Sequence, residues 1–252
     1  MRSAKTCATA RFATSKWRLA SCARLSRRGA REGGLQTVTI RWFGQSCFEL
    51  ADEHLKVVTD PHDGKSIGLP APRTRADFVL KSHDHFDHNC VRQVAGPSTS
   101  VYCGGDPFKF NGFAARSVPG HHDAHGGAKL GDVQIMAFEV AGLKFCHLSD
   151  IGSPVSPQQA AAIGPVDVLF VPTGGVFTIG AAEAWRTVAA LRPRVAVPMH
   201  YRFGGLSVSI QDLKPFLDQA PKEADIVRVG STMDVEGPED LPPEGGVWVF
   251  SV

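Results

Sequence analysis

No run of about 18 consecutive apolar residues occurs in the chain, so the sequence offers no membrane-spanning helix. There is no Cys-x-x-Cys pair either. The six cysteines (Cys7, Cys22, Cys47, Cys90, Cys103 and Cys146) follow neither a zinc-ribbon nor a disulfide-framework spacing. In a chain of 252 residues this usage points to buried thiols in a reducing, cytoplasmic compartment. Cys146 lies in a strand-like run and reads as core, and Cys90 adjoins a histidine cluster without reading as a ligand. Acids are missing from the first 31 residues, which carry Arg2, Lys5, Arg11, Lys16, Arg18, Arg24, Arg27, Arg28 and Arg31. Setting these nine aside leaves 18 basic against 25 acidic residues, so the net charge of +2 conceals a body near −7. Such a body excludes nucleic acid as the natural partner, because phosphate binding needs a basic surface. The arm also lacks the apolar centre of a secretory signal. Its Arg/Ser/Ala composition fits a disordered arm, a mis-assigned start or an organelle-targeting segment. Residues 1–34 are therefore set apart from a domain over residues 35–252, and no linker or internal repeat divides that domain further.

What is present turns regular at Thr37. Val38, Ile40 and Trp42 alternate with polar partners, and Cys47–Leu50 and Leu55–Val58 follow as short runs between turns, the periodicity of a strand meander. Gln134–Val140 and Leu143–Leu148 flank Ala141-Gly142 as a hairpin. The second half alternates: a helix around Pro157–Ile163, a strand over Val166–Val171, a helix around Ala181–Leu191 and a strand over Val195–Val197. A last helix is expected near Ile210–Leu217, before strands at Ile226–Val229 and Val247–Phe250. Trp185 and Phe216 fall on apolar helix faces and read as core. Two packed sheets with helices outside would satisfy both halves in one domain.

Ligand-type side chains gather where strands end. Asp77–Leu80 runs into His83, His85, Asp87 and His88; Leu143–Leu148 runs into Asp150; Val195–Val197 runs into His200. This is the pattern of a site assembled at one rim of a sheet. His83 and His85, two apart, point to the same side of an extended backbone and can grip one ion. Asp87 and His88 follow across a turn and can face a second ion about 3.5–4 Å away. Solvated surface histidines would not need this spacing. Imidazole with carboxylate suits zinc, with manganese or iron as alternatives.

Ser82-His83-Asp84-His85-Phe86-Asp87-His88-Asn89 resembles the signature of the metallo-β-lactamase superfamily. Its context is similar to the branch holding the bacterial ascorbate-6-phosphate lactonases and related hydrolases. The supporting pieces include Thr59-Asp60-Pro61, Val118-Pro119 before His121-His122-Asp123, and His147-Leu148-Ser149-Asp150. Pro172-Thr173-Gly174-Gly175, Thr178-Ile179 and Pro198-Met199-His200-Tyr201 complete the set. The resemblance implies an α+β fold, a four-layer αββα sandwich of two mixed sheets. It also implies two zinc ions, one held by His83, His85 and His122, the other by Asp87, His88 and His200, with Asp150 bridging. His122 is preferred over His121 and His125 because Asp123 follows it. Two positions depart from the branch pattern: Ser149 stands where Gly is usual, and Gly180 where Asp is frequent. Both fall where substrate contacts are expected.

The chemistry implied is hydrolysis of a small molecule: an ester, a lactone or a phosphodiester. Two cations would lower the pKa of a shared water toward about 7, and Asp87 or Asp150 would pass its proton to the leaving group. Tyr201 is either a phenol beside the developing anion or a structural residue. Asp60 is either an acceptor for a ligating ring N–H or a strand-ending turn. Gly174-Gly175 would admit close backbone approach. Two other classes are weighed. A di-iron redox protein of this fold would replace His85 with Glu and add a flavin domain; a non-catalytic module would have eroded ligands. No membrane partner is expected, and homo-oligomerisation is left open.

Overall fold

The computed structural model describes residues 18–19, 37–110, 113–243 and 245–252. The rest of the basic arm, and with it the choice between a disordered and a targeting segment, lies outside the described residues, as do Cys7 and Cys22. The strands are β1 (Arg18–Leu19), β2 (Val38–Trp42), β3 (Phe48–Ala51), β4 (Lys56–Thr59), β5 (Ala76–Leu80), β6 (Ala95–Tyr102), β7 (Phe108–Phe110) and β8 (Phe113–His121). They continue as β9 (Asp132–Val140), β10 (Leu143–His147), β11 (Val168–Pro172), β12 (Val195–Met199), β13 (Asp225–Arg228), β14 (Thr232–Val235) and β15 (Gly246–Val249). The helices are α1 (Pro157–Ile163), α2 (Ala181–Leu191) and α3 (Lys214–Asp218).

Two mixed sheets result, ordered β1-β13-β15-β12-β11-β10-β9-β8-β7 and β14-β2-β3-β4-β5-β6. Local sequence explains the elements. β2 alternates buried and half-buried residues, as a strand with one face inward must. Ala141 and Gly142 both take positive φ, 50° and 77°, as the two-residue turn between β9 and β10 requires. Ser156 accepts from Gln159 N while Gln159 returns the bond to Ser156 N, and Pro157 opens α1. β11 and β12 are buried along their whole length, as parallel interior strands are.

The sheets face each other across one core. Phe48 meets Phe170 at 4.3 Å between ring centroids, and Phe78 meets Phe113 at 4.7 Å. On the nine-stranded sheet α1 packs against β8 and α2 against β11, with α3 on α2. Trp185 stacks on Phe216 at 4.6 Å and joins α2 to α3. Cys47, Val58 and Val79 form a smaller cluster on the opposite face of the six-stranded sheet from Phe48, Val57 and Phe78. There a single 3-10 turn, Val91–Gln93, takes the outer position. The αββα sandwich is thus present, with this outer layer thin among the described residues.

The helix expected from Ile210 begins only at Lys214. Pro215 accounts for the difference: deep in a helix it would clash with the carbonyl four residues back and leave it unpaired. That carbonyl, of Gln211, accepts from Arg202 N instead. Among the described residues no helix is long and apolar enough to cross a membrane.

Strand direction positions the site. β4 and β5 run parallel, as do β10, β11 and β12. β8 is antiparallel to β9, and β9 to β10, so β8 runs with β10. The C-terminal ends of strands in both sheets therefore carry the side chains described next.

Candidate metal centre

The segment after β5 carries His83, His85, Asp87 and His88; β8 leads into His122, β10 into Asp150 and β12 into His200. All seven residues expected from the sequence converge. Nitrogens or oxygens of His83, His85 and His122 lie within 4.8 Å of one another, and so do those of Asp87, His88 and His200. Asp150 stands between the two groups. Its Oδ2 is 3.1 Å from His88 Nε2, 3.1 Å from His200 Nε2 and 3.5 Å from His122 Nε2.

The hydrogen bonds behind the rings decide which nitrogen faces inward. His122 Nδ1 lies 3.0 Å from the Phe177 carbonyl, which can only accept, so Nδ1 carries the proton and Nε2 offers a lone pair. His88 Nδ1 likewise donates to Asp60 at 3.0 Å. Ser82 Oγ gives its one proton to Asp60 at 2.6 Å, so at 2.9 Å it accepts from His83 Nδ1, freeing His83 Nε2. His85 presents Nδ1 to that same point, 3.1 Å from His83 Nε2.

This arrangement fits cations. His88 Nε2 is buried without a hydrogen-bond partner, yet it faces Asp87 Oδ2 at 3.4 Å and Asp150 Oδ2 at 3.1 Å. A lone pair aimed at two carboxylates needs a positive charge between them. Although burial opposes charge on His88, the Asp150 and Asp87 carboxylates raise its pKa well above the ordinary imidazole range. Asp150 shows the converse: burial disfavours its charge, but His200 and His88 keep it well below the usual carboxylate range. Burial, assisted by His88, pushes His83 down to about 3, leaving it a neutral ligand.

Asp60 also groups with His83 and His88 at metal-like distances. It is not a third ion site, because its oxygens are spent on Ser82 N, Ser82 Oγ and His88 Nδ1. Its φ of 37° makes it the strand-ending turn as well, so both roles weighed for it coincide.

Positive φ recurs at Gln45 (53°), Ser149 (56°) and His200 (50°), each at the centre. Such backbone costs about 1–3 kcal/mol per residue and persists where the surroundings hold it. Ser149 carries this strain and turns its hydroxyl to Ser82 Oγ at 2.7 Å. Neither Ser149, fully buried, nor Gly180, at the start of α2, lines the cavity over this His/Asp cluster.

The histidines not chosen lie elsewhere. On β8 the alternation sends His121 outward to Asp132 at 2.7 Å and His122 inward. His125 is exposed in the loop that Asp123 ties together by accepting from the backbone of His125, Gly127, Lys129 and Leu130. Those bonds, Leu130's foremost, lower Asp123 to about 2. Tyr201 points into the core, against Trp42 and toward the Phe250 carbonyl, so the phenol expected as one option beside the anion is structural. Cys90 is buried and belongs to none of the ligand groups.

Two residues escaped the sequence reading. Gln45 donates to Asp87 Oδ2 at 2.8 Å, and its carbonyl accepts from His200 N, so it braces both. His147 donates from Nε2 to the Ser46 carbonyl at 2.9 Å and accepts from Ser149 N, fixing the turn into Asp150. Gln45 gave no signal, since a polar turn between two strands reads as solvent-exposed. His147 could have been found as a histidine inside an apolar strand three residues before Asp150.

A two-sheet sandwich with this paired His/Asp centre at its rim defines a class of metalloproteins, and the comparisons agree. The β-lactamase superfamily domain profile matches residues 39–200. The chain belongs to the metallo-β-lactamase superfamily. A metal-dependent hydrolase of Carboxydothermus hydrogenoformans is 28% identical over 193 residues, covering 64% of this chain and 84% of the relative. A solved structure from Thermotoga maritima, assigned to a Zn-dependent hydrolase of the superfamily, is 32% identical with a TM-score of 0.69, covering 84% of this chain and 98% of its own. The diiron β-hydroxylase CmlA of Streptomyces venezuelae, 14% identical with a TM-score of 0.54, covers 79% of this chain and 54% of its own, and shares the fold alone.

Proposed function

We propose that this chain is a metal-dependent hydrolase that uses two zinc ions to hydrolyse a small-molecule ester, lactone or phosphodiester. The observation that carries the reading is Asp150 Oδ2, placed among the Nε2 atoms of His88, His122 and His200. His83, His85 and His122 would hold one ion and Asp87, His88 and His200 the other, with Asp150 shared. The pair would supply positive charge that lowers the pKa of a common water and polarises the scissile bond. Asp87, steadied by Gln45, and Asp150 are the carboxylates placed to take a proton from water and pass it to the leaving group. The Phe177 carbonyl keeps the His122 ring aimed, and the Ser149 N–H and Ser46 carbonyl hold His147 and with it the turn into Asp150, before substrate arrives.

The test is metal analysis of protein purified without added metal, beside a His83→Ala/His88→Ala variant and Asp150→Ala. About two zinc ions per chain, lost in the double variant, are expected. Asp150→Ala should keep the fold and lose most turnover. Iron with an oxygen-dependent spectrum would shift the reading to redox chemistry, and no metal after zinc is supplied would end the enzyme reading.

A further inference from the structure

A cavity of about 390 Å³ opens over the ligands, and its walls differ sharply from its floor. His85, Asp87, His122, Asp150 and His200 form the floor. Phe86, Phe177, Leu130 and Val208 form the walls, with Ser66, Ser207 and Ser209 as the only other polar side chains. Among the described residues no Lys or Arg lines this cavity; Lys81, paired with Asp84, lines the adjoining hollow beside His83 and His85. Lys65 and Lys129, next in sequence to Ser66 and Leu130, are exposed and are not among its lining residues. Phe86 is 59% exposed and Phe177 42%, among the most exposed large apolar side chains of the described residues.

The segment carrying Phe177 is held in shape. Its carbonyl accepts from His122, and Phe177 N and Thr178 N both bond the Gly175 carbonyl. Val176 takes φ of 62°, a conformation that a β-branched residue rarely adopts without constraint. An exposed ring kept at the mouth of the site by a strained turn has a use there.

We propose that the substrate of this centre is an uncharged carboxylic ester or lactone whose aryl or short alkyl group sits between Phe86 and Phe177. This rests on the hydrolase reading and narrows it. A phosphodiester carries a negative charge on its non-bridging phosphoryl oxygens, and recognition of that charge by the walls would call for Arg or Lys. Here the walls offer apolar contact and neutral hydroxyls, in a volume suited to a small molecule. In the reaction the oxygen of water bonds the acyl carbon as the bond from that carbon to the alcohol oxygen breaks. One water proton goes to the departing alkoxide, and the acid product releases the other.

Zinc-loaded full-length protein should be assayed with phenyl acetate, with 4-carboxyphenyl acetate and with bis(4-nitrophenyl) phosphate. The first two share a reacting bond and differ in one distal charge. Phenyl acetate is expected to show a kcat/KM at least about tenfold above its carboxylated counterpart, roughly one lost wall contact. Phe177→Ala should raise KM for phenyl acetate about tenfold with zinc content unchanged, because the backbone carbonyl that holds His122 remains; Phe177→Leu should recover part of it. Calorimetric titration with N-phenylacetamide, an aryl amide of matching shape, should show the same loss of binding in Phe177→Ala. Equal use of the two acetates, preference for the phosphodiester, or an unchanged KM in Phe177→Ala would overturn the substrate class while leaving the hydrolase reading standing. Zinc-loaded protein that hydrolyses none of the three would overturn both.

Discussion

Asp60 illustrates how one residue outside the ligand set controls those within it. Fully buried, it accepts the ring proton of His88 and both donors of Ser82, and Ser82 in turn accepts from His83. One carboxylate thus orients a histidine of each ion group. Asp60→Asn keeps the shape but brings an amide where an acceptor is needed, so His88 loses its fixed tautomer. Zinc affinity is expected to fall about 10–100-fold, read by competition with a chromogenic chelator. Unaltered affinity would mean that the packing around His88, not its hydrogen bond, sets the ring. The sequence placed Asp60 near the site through its position after β4 but could not separate a turn role from a bonding role. The separation does not exist, because the turn at φ 37° is what aims the carboxylate.

At the scale of elements, loops at the rim matter more than the strands they join. Gly174 lies against the backbone of His200, where an added Cβ would collide with the His200 carbonyl oxygen. Gly174→Ala is therefore expected to destabilise the protein by at least about 2 kcal/mol and to lower zinc content by displacing His200. Thermal unfolding beside metal analysis would check both, and a variant with wild-type values would show that the β12 turn can yield. Strands with a strong pattern were legible: β2, β3, β4, β9 and β10 fall where alternation and the Ala141-Gly142 turn put them. β6 was not, because Ala-Gly-Pro-Ser-Thr-Ser has little apolar signal. It is an edge strand, where Pro97 is tolerated and one side lacks a ladder partner. α1 and α2 were legible from their apolar patterns, whereas the apolar period around Ile210 concealed the later start imposed by Pro215. Among the site residues, those with ligand chemistry were legible from spacing, while Gln45 depends on a fold-back from another strand pair that no local pattern reports.

Across the whole molecule the centre joins the two sheets. His83, His85, Asp87 and His88 follow a strand of the six-stranded sheet; His122, Asp150 and His200 follow strands of the nine-stranded one. Ions bound only by the folded state stabilise it by mass action, about 4 kcal/mol when free metal stands a thousandfold above its dissociation constant. Chelation is thus expected to lower Tm by about 10 °C, reversibly on adding zinc, and a Tm indifferent to chelator would mean that the sheets hold together without this bridge. The same division has a consequence during synthesis. A ribosome delivers the chain from one end, so the portion carrying Asp60, His83, His85 and His88 emerges well before His200. The first sheet itself waits longer, since its edge strand β14 comes back from Thr232–Val235 to lie beside β2. A growing chain can therefore offer a metal only half a cage until His200 and β14 have emerged. Metal capture in this sense waits until strands distant in the chain have met.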